Sequence, residues 1–195
     1  MSEQLTKEQG RTLVNLARAT LIKELNADQS MIPADLEQRL QDPALDQKLG
    51  TFVTLHLNDN LRGCIGSLEA TEPLRENVQK NALNAAFRDP RFPPLGLNEL
   101  PEVDIEISVL TSPTPFNYSS PQDLVNKLRP GVDGVILKKG MAQSTFLPQV
   151  WDQLPQPEAF LSNLCLKAGL PAEDWKKGEV QVFTYQVQSF EEKEI

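Results

Sequence analysis

Two strand-like runs flanking a cluster of turn formers constrain this chain more than any other feature. Thr51–Leu57 reads TFVTLHL, Asn58-Asp59-Asn60 follows, and Leu61–Leu68 opens as LRGCIG. Alternating β-branched and apolar residues on both sides of a polar turn predict a β-hairpin. With a three-residue loop, Val53, Leu55 and Leu57 share one face with Leu61, Gly63 and Ile65. Thr54, His56, Arg62 and Cys64 then share the other, because side chains alternate with period two. Once the hairpin forms, its apolar face requires a covering layer.

The polar face is where chemistry is expected. A thiol, an imidazole and a guanidinium would be neighbours there, and a cation beside a thiol favours the thiolate. Gly63 and Gly66 flank Cys64 and admit a ligand or a second backbone. The same residues also fit a plainer reading, in which Cys64 is a small buried hydrophobe and the glycines mark a bulge. Spacing alone leaves both open, and a one-residue change in the turn would move these side chains to opposite faces.

Other elements follow from period and punctuation. Thr6 caps a predicted helix over Lys7–Leu25, and Pro33 opens a short one to Leu40. Thr71-Glu72-Pro73 starts a helix to Phe87, whose Ala82, Ala85 and Ala86 allow close approach to a sheet. That helix breaks at Arg88-Asp89-Pro90-Arg91-Phe92-Pro93-Pro94, where the prolines impose a stiff, extended segment. VDIEISVL over Val103–Leu110 alternates as a strand, with Glu106 on its polar face as either an acid/base or a solvated carboxylate. After a loop over Thr111–Ser119, Ser120 to Asp123 forms a capping box for a helix to Leu128, and Gly131–Gly134 is a turn. Residues 135–137 and 144–147 make a second hairpin. Glu158–Leu166 is helical, with Gly169 as its C-terminal cap and Cys165 as a core thiol. Glu179–Phe190 reads as one closing strand.

Composition narrows the function classes. The chain has 19 basic and 27 acidic residues, a net charge of −8, which disfavours phosphate backbones and so nucleic acid. No apolar run reaches the roughly 20 residues of a membrane span. The first residues lack basic and apolar signal regions, so no signal peptide is expected and residence is expected in the cytoplasm. Two cysteines and one histidine are too few for a thiolate zinc site or a cluster held by this chain alone, so neither metal nor cofactor is expected.

Taken together, LRGCIG, DPRFPPL, IEISVL, GVDGVIL, TFLPQV and KAGLP occur in an order and spacing that resembles the AMMECR-one domain family, in the prokaryotic form that belongs to the AmmeMemoRadiSam system. The likeness runs from about Leu5 to Phe190. It implies an α/β (α+β) protein with a mixed or antiparallel sheet and packed helices. One domain over residues 1–195 is expected, with a small subdomain drawn from about 1–50 and 111–150. It implies company as well: a Memo-like protein and a radical SAM enzyme as protein partners, with the oligomeric state left open. Where relatives often carry a basic residue before TFLPQV, this chain has Ala142-Gln143-Ser144.

Carried over by motif, the binding residues are Arg62, Gly63, Gly66, Asp89, Arg91, Phe92 and Ser108, and the catalytic candidates are Cys64 and Glu106. Two functions compete. One is a partner-binding component that docks through its cleft or its stiff proline segment, with Arg62 and Arg91 supplying ion pairs and Phe92 an apolar anchor. The other is an enzyme or substrate-handling subunit in which Cys64 is the nucleophile in a cleft with Arg62 and Arg91.

Overall fold

The structure, a computed structural model, describes residues 4–68 and 71–194. The chain divides into two compact units, one of Met1–Thr111 with Gln188–Ile195, the other of Ser112–Val187. This differs from the expected subdomain: residues 1–50 belong to the first unit, and the second continues past 150.

In the first unit, Thr6 accepts the Gln9 N–H and the Gln9 side chain accepts the Thr6 N–H, a reciprocal cap that starts α1 (Lys7–Glu24). Its buried stripe includes Leu13, Leu16, Ala17 and Leu21. Next, α2 is only Leu36–Arg39, because Leu36 N–H closes a turn on the Pro33 carbonyl and regular helix begins after Asp35. The hairpin is β1 (Thr51–Leu57) and β2 (Asn60–Ser67); α3 (Leu74–Phe87) and β3 (Val103–Leu110) follow. No side chain caps α3; the Leu74 N–H is taken instead by the Gln47 carbonyl.

The sheet runs β2-β1-β3-β8, where β8 is Val187–Glu191 near the end of the chain. Helix α3 lies on β1 and β2, and α1 packs on α3 and β3. Val53, Leu55, Ile105 and Ile107 meet Leu13, Leu21, Leu74 and Val78 there, all at most 1% exposed. Full burial of each such side chain contributes about 1.5–3 kcal/mol. Gly63 shows how near α3 comes: a Cβ at that position would sit 2.2 Å from the Ala85 carbonyl oxygen. Polar bonds lock the same seam, with Asn81 Nδ2 donating to both the carbonyl and the hydroxyl of Thr51, and Asn77 Nδ2 to the Leu49 carbonyl.

The second unit holds a sheet in the order β4-β7-β5-β6, from Thr114–Pro115, Gly134–Lys139 (β5), Ala142–Phe146 (β6) and Gln181–Tyr185 (β7), with β4 the first of these. Helices α4 (Pro121–Lys127) and α5 (Pro157–Lys167) supply Leu124, Leu161 and Leu164 to its core. Trp151 stacks on Phe160 at 3.7 Å between centroids, and Cys165 is fully buried among them. The two sheets are antiparallel, one of the two arrangements expected of the α+β fold. The single closing strand expected over Glu179–Phe190 is two strands. Val180 and Val182 enter the core of the second unit, whereas Phe190 packs on that of the first. Side-chain period cannot reveal such a switch, because it is blind to which sheet provides the neighbour.

Candidate functional site

The site is built on the edge strand β2. Asn58 and Asp59 have φ of 51° and 61°, the left-handed pair that a two-residue type I′ turn needs. The loop is therefore one residue shorter than expected, Leu57 facing Asn60 and His56 facing Leu61. A bulge restores the count, since the register shifts at Arg62 and Leu55 then faces Gly63, Thr54 faces Cys64 and Phe52 faces Gly66. The outcome for the predicted face is mixed: Cys64 and Thr54 share it, while Arg62 leaves it.

Arg62 is the correction. Its side chain is 9% exposed, with Nε and Nη2 donating to the two carboxylate oxygens of Glu99 at 2.8 and 3.0 Å and Nη2 also reaching the Pro94 carbonyl. The hydrogen bond from Arg62, together with the Gly96 N–H, holds the Glu99 carboxyl below its usual value, and Glu99 raises Arg62 in return. The guanidinium thus braces the 94–99 loop and does not serve the thiol. Glu99 lies 37 residues away in sequence, with no local signal linking the two.

The Asp89–Arg91 pair does reach Cys64. Asp89 is 2% exposed at its side chain, and its carboxylate accepts the Cys64 N–H at 2.9 Å, the Arg91 N–H at 3.1 Å, Arg91 Nε at 2.9 Å and Arg91 Nη2 at 2.6 Å. Arg91 Nη2 then donates to the Cys64 carbonyl at 3.2 Å. Both backbone groups of Cys64, which the free edge of a sheet would leave unpaired, are closed by one ion pair. The fork from Arg91 drives the Asp89 carboxyl far below the ordinary carboxylate range despite its burial, and Arg91 rises correspondingly. Arg91 remains 53% exposed and lies over the Phe92 ring at 5.5 Å.

On the side-chain face, Thr54 Oγ1 donates to Cys64 Sγ at 3.3 Å. Thr54 also faces Glu106 across β1 and β3, and Phe52 faces Ser108. Glu106 meets His56 Nε2 at 3.3 Å and accepts from Ser108 Oγ at 3.4 Å. His56 and Glu106 line a cavity of about 230 Å³ with Asp59, Asp104, Glu192 and Lys193. Thr54 lies outside the motifs that mark the other site residues, and its alternation with His56 is the signal that places it there. Gly63 and Gly66 serve packing: a Cβ on Gly66 would fall 2.3 Å from the Phe52 ring. Among the described residues no group of three or more His, Cys, Asp or Glu is placed to hold a metal ion, and no helix is long and apolar enough to cross a membrane.

This arrangement can be set beside known proteins. The AMMECR1 family model matches residues 14–190. The chain belongs to the AMMECR1 family. A protein of Methanothermobacter thermautotrophicus is 41% identical over 194 residues, covering 96% of both chains. One from Methanopyrus kandleri is 39% identical over 202 residues, covering 100% of this chain and 93% of its own. The crystal structure of an uncharacterized protein from Pyrococcus horikoshii matches with a TM-score of 0.80 and 36% identity, over 96% of this chain and 93% of that one. LRGCIG and DPRFPPL both fall within the AMMECR1 match, so the clamp at Cys64 joins two family segments.

Proposed function

We propose that this AMMECR1 protein is a partner-binding component whose docking element is the proline-stiffened segment 89–94. The observation that carries this is the clamp. Asp89 and Arg91 fasten the segment to both backbone groups of Cys64, while half of Arg91 stays exposed beside Phe92. A rigid arginine and aromatic pair is the kind of anchor that concentrates binding energy. Its rigidity lowers the ordering cost of association. The family resemblance supports a Memo-like protein and a radical SAM enzyme as the partners.

A second reading, with Cys64 as a nucleophile, draws on the hydroxyl of Thr54 pointing at its sulfur and on His56 and Glu106 on the same face of the sheet. It ranks lower because Arg62 is committed to Glu99, and Arg91 is bonded to Asp89 and the Cys64 carbonyl. Neither guanidinium is bonded to the thiol.

Co-purification of tagged variants with the Memo-like and radical SAM proteins separates the two. Phe92→Ala and Arg91→Ala should weaken capture by tenfold or more, and Cys64→Ser should leave it intact. Undiminished capture by both Phe92→Ala and Arg91→Ala refutes docking through this segment; loss of a reconstituted activity on Cys64→Ser alone favours the nucleophile.

A further inference from the structure

The chemistry of the partner can be read from the charge around the clamp. Seven Lys or Arg and seven Asp or Glu lie between Ser112 and Val187, so the net charge of −8 belongs wholly to the first unit. Within that acidic unit, the stretch from Arg88 to Asn98 is an exception. Arg88 and Arg91 are exposed, and its one carboxylate, Asp89, is buried and spent on Arg91 and Cys64.

The same stretch is apolar where it meets solvent. Pro90, Pro93 and Pro94 are exposed, and Leu97 is 54% exposed. The surface is therefore a basic and apolar ridge on an acidic body, held stiff by prolines and by two ion pairs, each with one buried partner, Asp89 and Arg62.

We infer that the ridge recognises an acidic surface with an apolar recess, in which a carboxylate meets the outward side of the Arg91 guanidinium and apolar side chains cover Pro93, Pro94 and Leu97. Charge complementarity argues for this occupant. Nε and Nη2 of Arg91 are already engaged, and the side chain is still 53% exposed, which leaves Nη1 as the donor for a partner carboxylate. A basic partner would be drawn to the rest of the unit and repelled here. This inference rests on the docking reading and adds the chemistry of what docks.

The test pans a random twelve-residue peptide display library against the immobilised full-length protein, then measures synthetic versions of the selected peptides by titration. The expected selection is rich in Asp and Glu interspersed with apolar residues. Its binding should weaken tenfold or more in Arg91→Lys, which keeps the charge and loses the fork, and in Leu97→Ser, and should be unchanged in Lys48→Glu, an exposed charge outside the ridge. These mild variants leave Asp89 in place; circular dichroism confirms that they fold. An empty selection, basic sequences, or acidic peptides indifferent to both ridge variants would overturn the inference. So would concentration-dependent self-association in light scattering that Leu97→Ser abolishes, since the occupant would then be a second copy. If Phe92→Ala and Arg91→Ala abolish capture of the candidate partners but the selection is not acidic, only the partner chemistry fails; if capture is untouched, the docking reading fails first.

Discussion

Asp89→Asn tests the clamp most directly, because it removes one charge and preserves shape. The carboxylate has two oxygens, and each faces two donors: Oδ1 the N–H and Nε of Arg91, Oδ2 the Cys64 N–H and Arg91 Nη2. Whichever oxygen becomes the amide nitrogen of asparagine, two donors lose their acceptor. A hydrogen bond to a charged group contributes about 1.5–3 kcal/mol net, and a backbone N–H buried without an acceptor costs about 1–3 kcal/mol. Arg91, 53% exposed, recovers part of its loss from water, so exposure discounts its share. The total expected is about 3 kcal/mol, or a fall in Tm of roughly 6–12 °C for a chain of this size.

Both tryptophans, Trp151 and Trp175, lie in the second unit, so fluorescence would watch the wrong unit. Hydrogen exchange at the Cys64 amide and far-ultraviolet circular dichroism are the appropriate readouts. The pH dependence has a definite sign. The Asp89 carboxyl is depressed in the folded state, so its contribution is complete above the unfolded value of about 3.9 and is lost as pH falls towards the folded value. The gap between wild type and Asp89→Asn should be full at pH 7 and begin to close below about pH 4. A gap under about 1 kcal/mol at pH 7, or one that stays constant down to about pH 2.5, would refute the reasoning.

Three further outcomes follow from the same geometry. Glu99→Ala should destabilise by about 3 kcal/mol because it strands a buried guanidinium, whereas Glu99→Ala combined with Arg62→Met should recover most of that loss; chemical denaturation of the four corners of the cycle decides it. Gly63→Ala should cost about 1–3 kcal/mol, since its Cβ meets the backbone of α3 and not a flexible side chain, and calorimetry should show it. In limited alkylation with mass mapping, Cys64 should be modified before Cys165, which is fully buried and whose thiol is pushed up by that burial; equal rates would contradict the placement of Cys165 in the core.

Period and punctuation were enough for the elements whose determinants are local. The Thr6 cap and the stripe of α1, the alternation of Val103–Leu110, the Ser120 cap of α4 and the second hairpin all stand where their residues predicted. Each depends on contacts within one turn or one strand, which a linear sequence records. The antiparallel sheets and the family also belong to this legible part, the second through motifs spread along the chain.

What the sequence could not decide is which side of the hairpin each polar residue serves. The order Asn58-Asp59-Asn60 fits a two- or a three-residue loop, and the choice depends on the fold. A two-residue loop with a bulge at Arg62 lets Gly63 sit beneath Ala85, keeps Cys64 opposite Thr54, and sends the guanidinium to Glu99. Burial of a charge needs a counter-charge, and the counter-charge comes from a loop 37 residues away. The division of the closing run between two sheets is of the same kind, because Val182 and Phe190 are equally good strand residues and only the two cores distinguish them. Local propensity determined the elements; long-range packing and charge pairing determined which of their side chains meet.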